Sequence, residues 1–186
     1  MSKSEIINIF YACDDSFVKF TAVSLFSMQK NASRDRKYHI HVLHTNITEE
    51  TQQSVLAMAD ECFRVTFDDV SSYLNDLCER LPLRDYYSNT TYYRMFIADM
   101  FPDIDKAIYI DSDTVVQGDI SELYDYDVES FDVGACHEQA MIQVDVYGRY
   151  AEKCLGIDRN LFFNDFSPFL FLRISLQYII ITFFMY

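Results

Sequence analysis

The segment best equipped for chemistry is Asp111-Ser112-Asp113, which ends the apolar run Ala107-Ile108-Tyr109-Ile110. Two carboxylates one residue apart offer hard oxygen ligands suited to Mn²⁺ or Mg²⁺, and such cations usually complete their shells with substrate phosphates. A cation held there would act as a Lewis acid on a departing diphosphate. The spacing alone is weak: with 20 Asp in 186 residues, about two Asp-x-Asp triplets are expected by chance. Three occur, at Asp103/Asp105, Asp111/Asp113 and Asp125/Asp127. Position separates them. The middle triplet directly follows a strand-like apolar run, at the carboxyl edge where open α/β sheets bind ligands. The flanking pairs read as solvated loop carboxylates.

The elements that must present these carboxylates follow from periodicity. Ile6 to Cys13 is a nearly continuous apolar run ending in Asp14-Asp15-Ser16, the pattern of a strand buried on both faces and then a loop. Phe17 to Lys30 has helical spacing, with Val18, Ala22, Leu25 and Met28 on one side. Asp14 and Asp15 could equally serve as caps of that helix. Tyr38 to Leu43 alternates as a second strand. Thr48 suits an N-cap, with Glu49 and Glu50 in the first turn of a helix extending through Val55, Met58, Ala59 and Cys62. Phe63 to Phe67 is a third strand, and a weaker helix follows from Asp69 to Glu79. A further helix begins near Thr90 and stops at Pro102. Ile120 to Tyr124 reads as a short helix, Phe131 to Cys136 as a strand and Met141 to Leu155 as a helix. Strand-helix alternation predicts an α/β fold with a mainly parallel, Rossmann-like central sheet flanked by helices.

Composition narrows the partners. Half the residues are apolar and the formal charge is −14, with no basic stripe; such an acidic body repels nucleic acid and anionic membranes, so a nucleic-acid partner is not expected. A bound cation would still permit phosphate ligands by inverting the local field. The five cysteines are scattered and form no Cys-x-x-Cys pair, which points to neither zinc nor a disulfide framework and suits the cytoplasm. The first residues lack a signal-peptide layout. His39, His41 and His44 resemble a metal cluster, but strand alternation puts His44 on the opposite face from the other two.

Four ordered blocks then carry a resemblance. Phe10 to Phe17, Thr91-Tyr92-Tyr93-Arg94, Ile108 to Val116 and Val133-Gly134-Ala135-Cys136, with Phe162-Phe163-Asn164 as the start of a fifth, resemble glycosyltransferase family 8 over roughly residues 5–164. That family includes bacterial lipopolysaccharide galactosyl- and glucosyltransferases and glycogenin. The resemblance implies a nucleotide-diphospho-sugar transferase fold and transfer of a hexose, with retention, from UDP-glucose or UDP-galactose to a glycan acceptor such as a bacterial surface glycan. It implies Mn²⁺ (or Mg²⁺) held by Asp111 and Asp113, with Asp111 also near the ribose. It places Ala12, Asp14 and Ser16 around the uridine and Phe17 against the uracil, where relatives often have Asn and Tyr at the last two positions. Arg94, Glu138 and Asn164 would serve at the donor sugar, many relatives having Asp where this chain has Glu138.

The pattern breaks after Asn164. Where the family continues with Gly and an apolar strand, this chain reads Asp165-Phe166-Ser167-Pro168, and the segment bearing a third metal ligand, usually His, is missing. The expectation is a donor-binding domain at 1–164, incomplete at its C-terminus, followed by an aberrant hydrophobic tail at 165–186 from a frameshift or premature stop. Seven Phe or Tyr lie in that tail, and the 18 residues after Pro168 just reach the length of a membrane span, although they contain Arg173 and Gln177. Membrane contact through the tail is therefore one expectation. A missing ligand should weaken metal binding, leaving a non-catalytic nucleotide-sugar-binding remnant as the alternative. A third reading, a haloacid-dehalogenase-like phosphatase with Asp111 as nucleophile, would need the motif on the first strand and a downstream Lys; Lys153 is the only lysine after it.

Overall fold

The computed structural model describes residues 6–73, 93–127, 134–135, 145–154, 170–174 and 177–182. In chain order these form β1 (Ile6–Ala12), α1 (Val18–Asn31), β2 (Lys37–His44), α2 (Glu49–Leu56) and β3 (Phe63–Asp69). A 3₁₀ turn at Arg94–Phe96 leads into α3 (Ile97–Met100), then β4 (Lys106–Ile110) and α4 (Ile120–Tyr124). The remainder is β5 (Gly134–Ala135), α5 (Asp145–Cys154), β6 (Leu170–Ile174) and β7 (Gln177–Thr182).

The strands form one sheet of order β3-β2-β1-β4-β7-β5-β6. β1 to β4 are mutually parallel where they pair, with Ile9 facing Ile40 on one side and Ile108 on the other. All four therefore end at a common edge, occupied by Ala12, His44, Asp69 and Ile110. β6 pairs antiparallel with β5 and β7, so the sheet is mainly parallel, as the alternation predicts.

Pleating divides the core in two. Ile7, Ile9 and Tyr11, with Tyr38, Ile40 and Val42 and with Ile108 and Ile110, pack under Val18, Leu25 and Met28 of α1 and Val55 of α2. Phe10, Ala12, Leu43, Ala107 and Tyr109 point to the opposite side, against Tyr93, Ile97 and Ala98. Thr48 caps α2 by accepting from the Thr51 N–H at 3.3 Å. That helix stops at Leu56, short of the extension to Cys62 read from its apolar spacing. The cause is Asp60, whose Oδ1 accepts from the N–H groups of Cys62 (2.7 Å) and Phe63 (3.0 Å) and turns the chain into β3.

Residues 170–174 and 177–182, read from the sequence as part of a separate tail, are strands. β7 lies parallel to β4, from Lys106 opposite Tyr178 to Ile110 opposite Thr182. The Ile-rich run of β7 has the composition of a strand inside a parallel sheet, where ladder bonds satisfy the backbone. The boundary expected at 164/165 lies outside the described residues, as do the weaker helix from residue 74 onward and the start of the helix near Thr90. Among the described residues no helix is long and apolar enough to cross a membrane.

On the second face, His39 and His41 lie side by side with ring centroids 3.8 Å apart, while His44 meets Phe67 on the other. His41 Nδ1 is 3.1 Å from Asp68 Oδ2, and His39 Nε2 is 3.1 Å from Thr66 Oγ1. Burial, then the neighbouring His41 and Arg64, push His39 down from 6.5 to about 4. A depressed histidine favours folding fully above its unfolded value, and that stability is lost as pH falls through the folded one. Stability should thus drop by about 1–2 kcal/mol between pH 6.5 and about 4, an amount reduced because the ring is partly exposed to solvent. Urea titrations across that interval check this, and His39→Gln should flatten the profile by the same amount.

Candidate functional site

β1 and β4 are neighbours, so the loops leaving their carboxyl ends meet. Ser112 Oγ donates to the Ala12 carbonyl at 3.3 Å, which fastens the Asp111-Ser112-Asp113 turn to the end of β1. A column of buried hydroxyls continues the attachment into α1. Tyr11 Oη is 2.9 Å from Ser24 Oγ, Ser24 Oγ is 3.0 Å from Thr114 Oγ1, and Thr114 donates to the Asp111 carbonyl at 2.9 Å. Ser27 Oγ accepts from the Val116 N–H and Asn31 donates to the Val116 carbonyl, both at 2.8 Å. The loop is therefore held along one helix and one strand end, which restricts where its carboxylates can point. Sequence reading missed Tyr11, Ser24, Ser27, Asn31 and Thr114. The available signal was polar Thr21 and Ser24 at core-facing helical positions, both fully buried.

The two carboxylates differ in setting. Asp113 is exposed. Asp111 is partly buried, and its Oδ1 accepts from Arg94 Nη2 at 2.7 Å, with side chains 22% and 13% exposed respectively. Burial pushes the Asp111 carboxyl above the ordinary range; Arg94 pulls against this, and the Asp113 charge adds to the rise. The Arg94 guanidinium also lies over the Tyr109 ring, 4.5 Å from its centroid, a cation–π contact. Its position comes from the 3₁₀ turn before α3, whose Tyr93, Ile97 and Ala98 anchor in the second core. Arg94 is thus not a solvated surface arginine.

At the β1 end, Asp14 Oδ1 accepts from the Ser16 N–H (2.9 Å), the Ser16 hydroxyl (2.6 Å) and the Phe17 N–H (3.2 Å). Asp14 therefore closes a turn just ahead of α1 that engages Ser16, whereas the N-cap position itself, Phe17, carries no side-chain cap, so the capping alternative is not what the structure shows. Asp15 Oδ1 accepts from the Thr48 N–H at 3.3 Å. Phe17 is not core: it is 44% exposed, with Phe20 at 5.4 Å between centroids. Ala12, Asp14, Ser16, Phe17, Arg94, Asp111 and Asp113 thus lie on the carboxyl ends of two adjacent strands and the turn that packs on them. Glu138 and Asn164 lie outside the described residues.

The donor set suits Mn²⁺ or Mg²⁺: two hard oxygen side chains at a strand end, the number such cations take from protein before adding phosphate oxygens and water. Among the described residues no group of three or more His, Cys, Asp or Glu side chains converges as a metal cage. A separate cleft of about 380 Å³ opens beyond β3, lined by Phe67, Asp68, Asp69, Val70, Tyr73, Met100 and Phe101, and includes none of these residues.

The mainly parallel sheet flanked by helices is the nucleotide-diphospho-sugar transferase fold, which solved structures share. The bifunctional glycosyltransferase WbbM in its apo form superposes with a TM-score of 0.67 and 22% identity, covering 84% of this chain and 29% of that one. The galactosyltransferase LgtC, solved with donor and acceptor sugar analogues, gives 0.62 and 22%, covering 79% and 52%. The chain belongs to glycosyl transferase family 8, whose family model matches residues 8–166. A Haemophilus influenzae protein, described no further than as a glycosyltransferase, is 30% identical over 161 residues, covering 87% of this chain and 47% of that one. The lipopolysaccharide 1,3-galactosyltransferase of Salmonella typhimurium is 31% identical over 138 residues, covering 72% and 39%. The chain thus spans less than half the length of these curated relatives. The dehalogenase-like alternative does not survive, since three described strands, β1 to β3, precede the one that Asp111 follows.

Proposed function

We propose that this glycosyltransferase chain binds a UDP-hexose, glucose or galactose, and transfers the sugar with retention to a glycan acceptor in the cytoplasm. The observation that carries the proposal is the junction of the β1 and β4 ends, where Ser112 bonds to Ala12 and both Asp-x-Asp carboxylates leave the sheet beside the Asp14–Phe17 turn. Asp111 and Asp113 would hold Mn²⁺ or Mg²⁺, which when bound offsets the charge of a pyrophosphate and its leaving group. Phe17 presents an exposed ring suited to stacking on a flat base, in the same turn as Asp14 and Ser16, and Ala12 at the end of β1 is assigned to the uridine on family grounds. Arg94 sets the charge and direction of Asp111, and its planar fork suits phosphate or sugar oxygens. Glu138 and Asn164 are assigned to the donor sugar on family grounds alone.

Titration calorimetry with UDP tests this reading. Binding should be measurable with Mn²⁺ present and disappear with chelator, and GDP and CMP should bind at least about tenfold more weakly, because the pocket reads the base. Equal affinity with and without metal would overturn it. Release of hexose from the UDP-sugar would then separate an active transferase from a donor-binding module that does not transfer.

A further inference from the structure

The face of α1 that points away from the core is apolar where a solvated helix should be polar. Lys19, Val23, Phe26 and Lys30 stand at i, i+4, i+7 and i+11, a single stripe opposite the buried Val18, Thr21, Leu25 and Met28. Val23 is 57% and Phe26 54% exposed, and Phe20 beside them is 42% exposed. Phe17, at the donor edge, lies outside this stripe and touches its flank at Phe20. The lysines bracket the apolar pair: Lys19 Nζ sits 5.1 Å from the Phe20 ring centroid and Lys30 Nζ 5.3 Å from that of Phe26. Each ammonium thus lies over an exposed aromatic ring in a cation–π contact, so positive charge and apolar surface share one face of the helix.

Charge selects the occupant. The chain carries 29 Asp and Glu against 15 Lys and Arg, yet the 14 residues of α1 contain no acidic side chain. The acids that precede it are turned elsewhere, Asp14 onto the Ser16 and Phe17 backbone and Asp15 onto Thr48. A second copy fits poorly. Two-fold pairing of antiparallel α1 stripes would set Lys19 of one against Lys30 of the other, with no carboxylate on either helix to separate them. An anionic lipid surface matches both features, taking the rings at acyl-chain depth and the ammonium groups among its phosphates.

We infer that the Lys19-Val23-Phe26-Lys30 face of α1, flanked by Phe20, docks the protein on an anionic bilayer with the helix lying in the interface. This surface adjoins the donor edge at Phe20, whose ring lies 5.4 Å from that of Phe17, but does not depend on the identity of the nucleotide. Because the inner side of the same helix holds the Asp111–Asp113 loop through Ser24 and Ser27, docking would fix the orientation of the donor edge relative to the membrane.

Cosedimentation of the full chain with vesicles tests it. The protein should pellet with vesicles of phosphatidylcholine and phosphatidylglycerol in equal parts and far less with phosphatidylcholine alone, with added salt releasing it. Val23→Ser combined with Phe26→Ser should lower partitioning at least about tenfold. Lys19→Gln combined with Lys30→Gln should lower it about 30-fold on anionic vesicles, roughly fivefold per lysine. All four positions are exposed, so the unfolding midpoint should match the parent, and metal-dependent UDP binding should be unchanged. The inference is overturned if the parent does not pellet with anionic vesicles, or if both double variants pellet as it does. It is equally overturned if the Val23/Phe26 variant instead abolishes a dimer seen in lipid-free light scattering.

Discussion

Asp113→Ala is expected to remove at least about 100-fold of the metal-dependent affinity for UDP while leaving the unfolding midpoint where it was. The Asp113 side chain is exposed and no hydrogen bond or ion pair engages it among the described residues, so its expected contribution is to a cation and, through it, to pyrophosphate. Asp111→Ala should lose the same affinity but also stability, because it strips the counter-charge from an Arg94 side chain only 13% exposed. Calorimetry with UDP and Mn²⁺, beside chemical denaturation of the same preparations, separates the two effects. If both variants keep parental affinity, the carboxylates do not hold the metal. If Asp113→Ala unfolds the chain, its role is structural.

Arg94→Ala should cost about 3 kcal/mol of folding stability. The pair it breaks is short, at 2.7 Å, and largely withdrawn from water. Burial already holds the Asp111 carboxyl above its ordinary range despite the guanidinium, so the carboxylate left behind is both desolvated and alone in charge. Arg94→Lys keeps the charge but loses the planar group that both reaches Asp111 and covers the Tyr109 ring, and should recover only part of the loss. A double-mutant cycle with Asp111→Asn isolates the interaction: the two substitutions together should cost clearly less than their sum. Strict additivity would mean that the contact does not contribute to folding.

These effects rest on features that differ in how openly they are written in the chain. β1, β2, β3 and β4 were legible because buried parallel strands are continuous apolar runs, and α1 because its core residues recur at helical spacing. The special status of Asp111 and Asp113 among three Asp-x-Asp triplets was legible because a strand of that type ends immediately before them. The end of α2 was not. Apolar spacing runs on through Met58 and Ala59 to Cys62, but Asp60 captures two backbone N–H groups and breaks the helix, a local competition that periodicity does not register. The strands at 170–174 and 177–182 were read as tail because an aromatic, Ile-rich stretch looks alike whether it lies in a sheet or outside one.

Taken by itself, the order of residues determined the succession of elements, the face each buries and the strand end where two carboxylates emerge, since all three follow from short-range periodicity and backbone preference. Only the tertiary structure decided that Arg94 meets Asp111, that Ser24 bonds both Tyr11 and, 90 residues away, Thr114, and that Val23 and Phe26 are exposed among the described residues. Such pairings depend on which strands become neighbours and which side each crossover takes, and no stretch of chain short enough to show a period contains both partners.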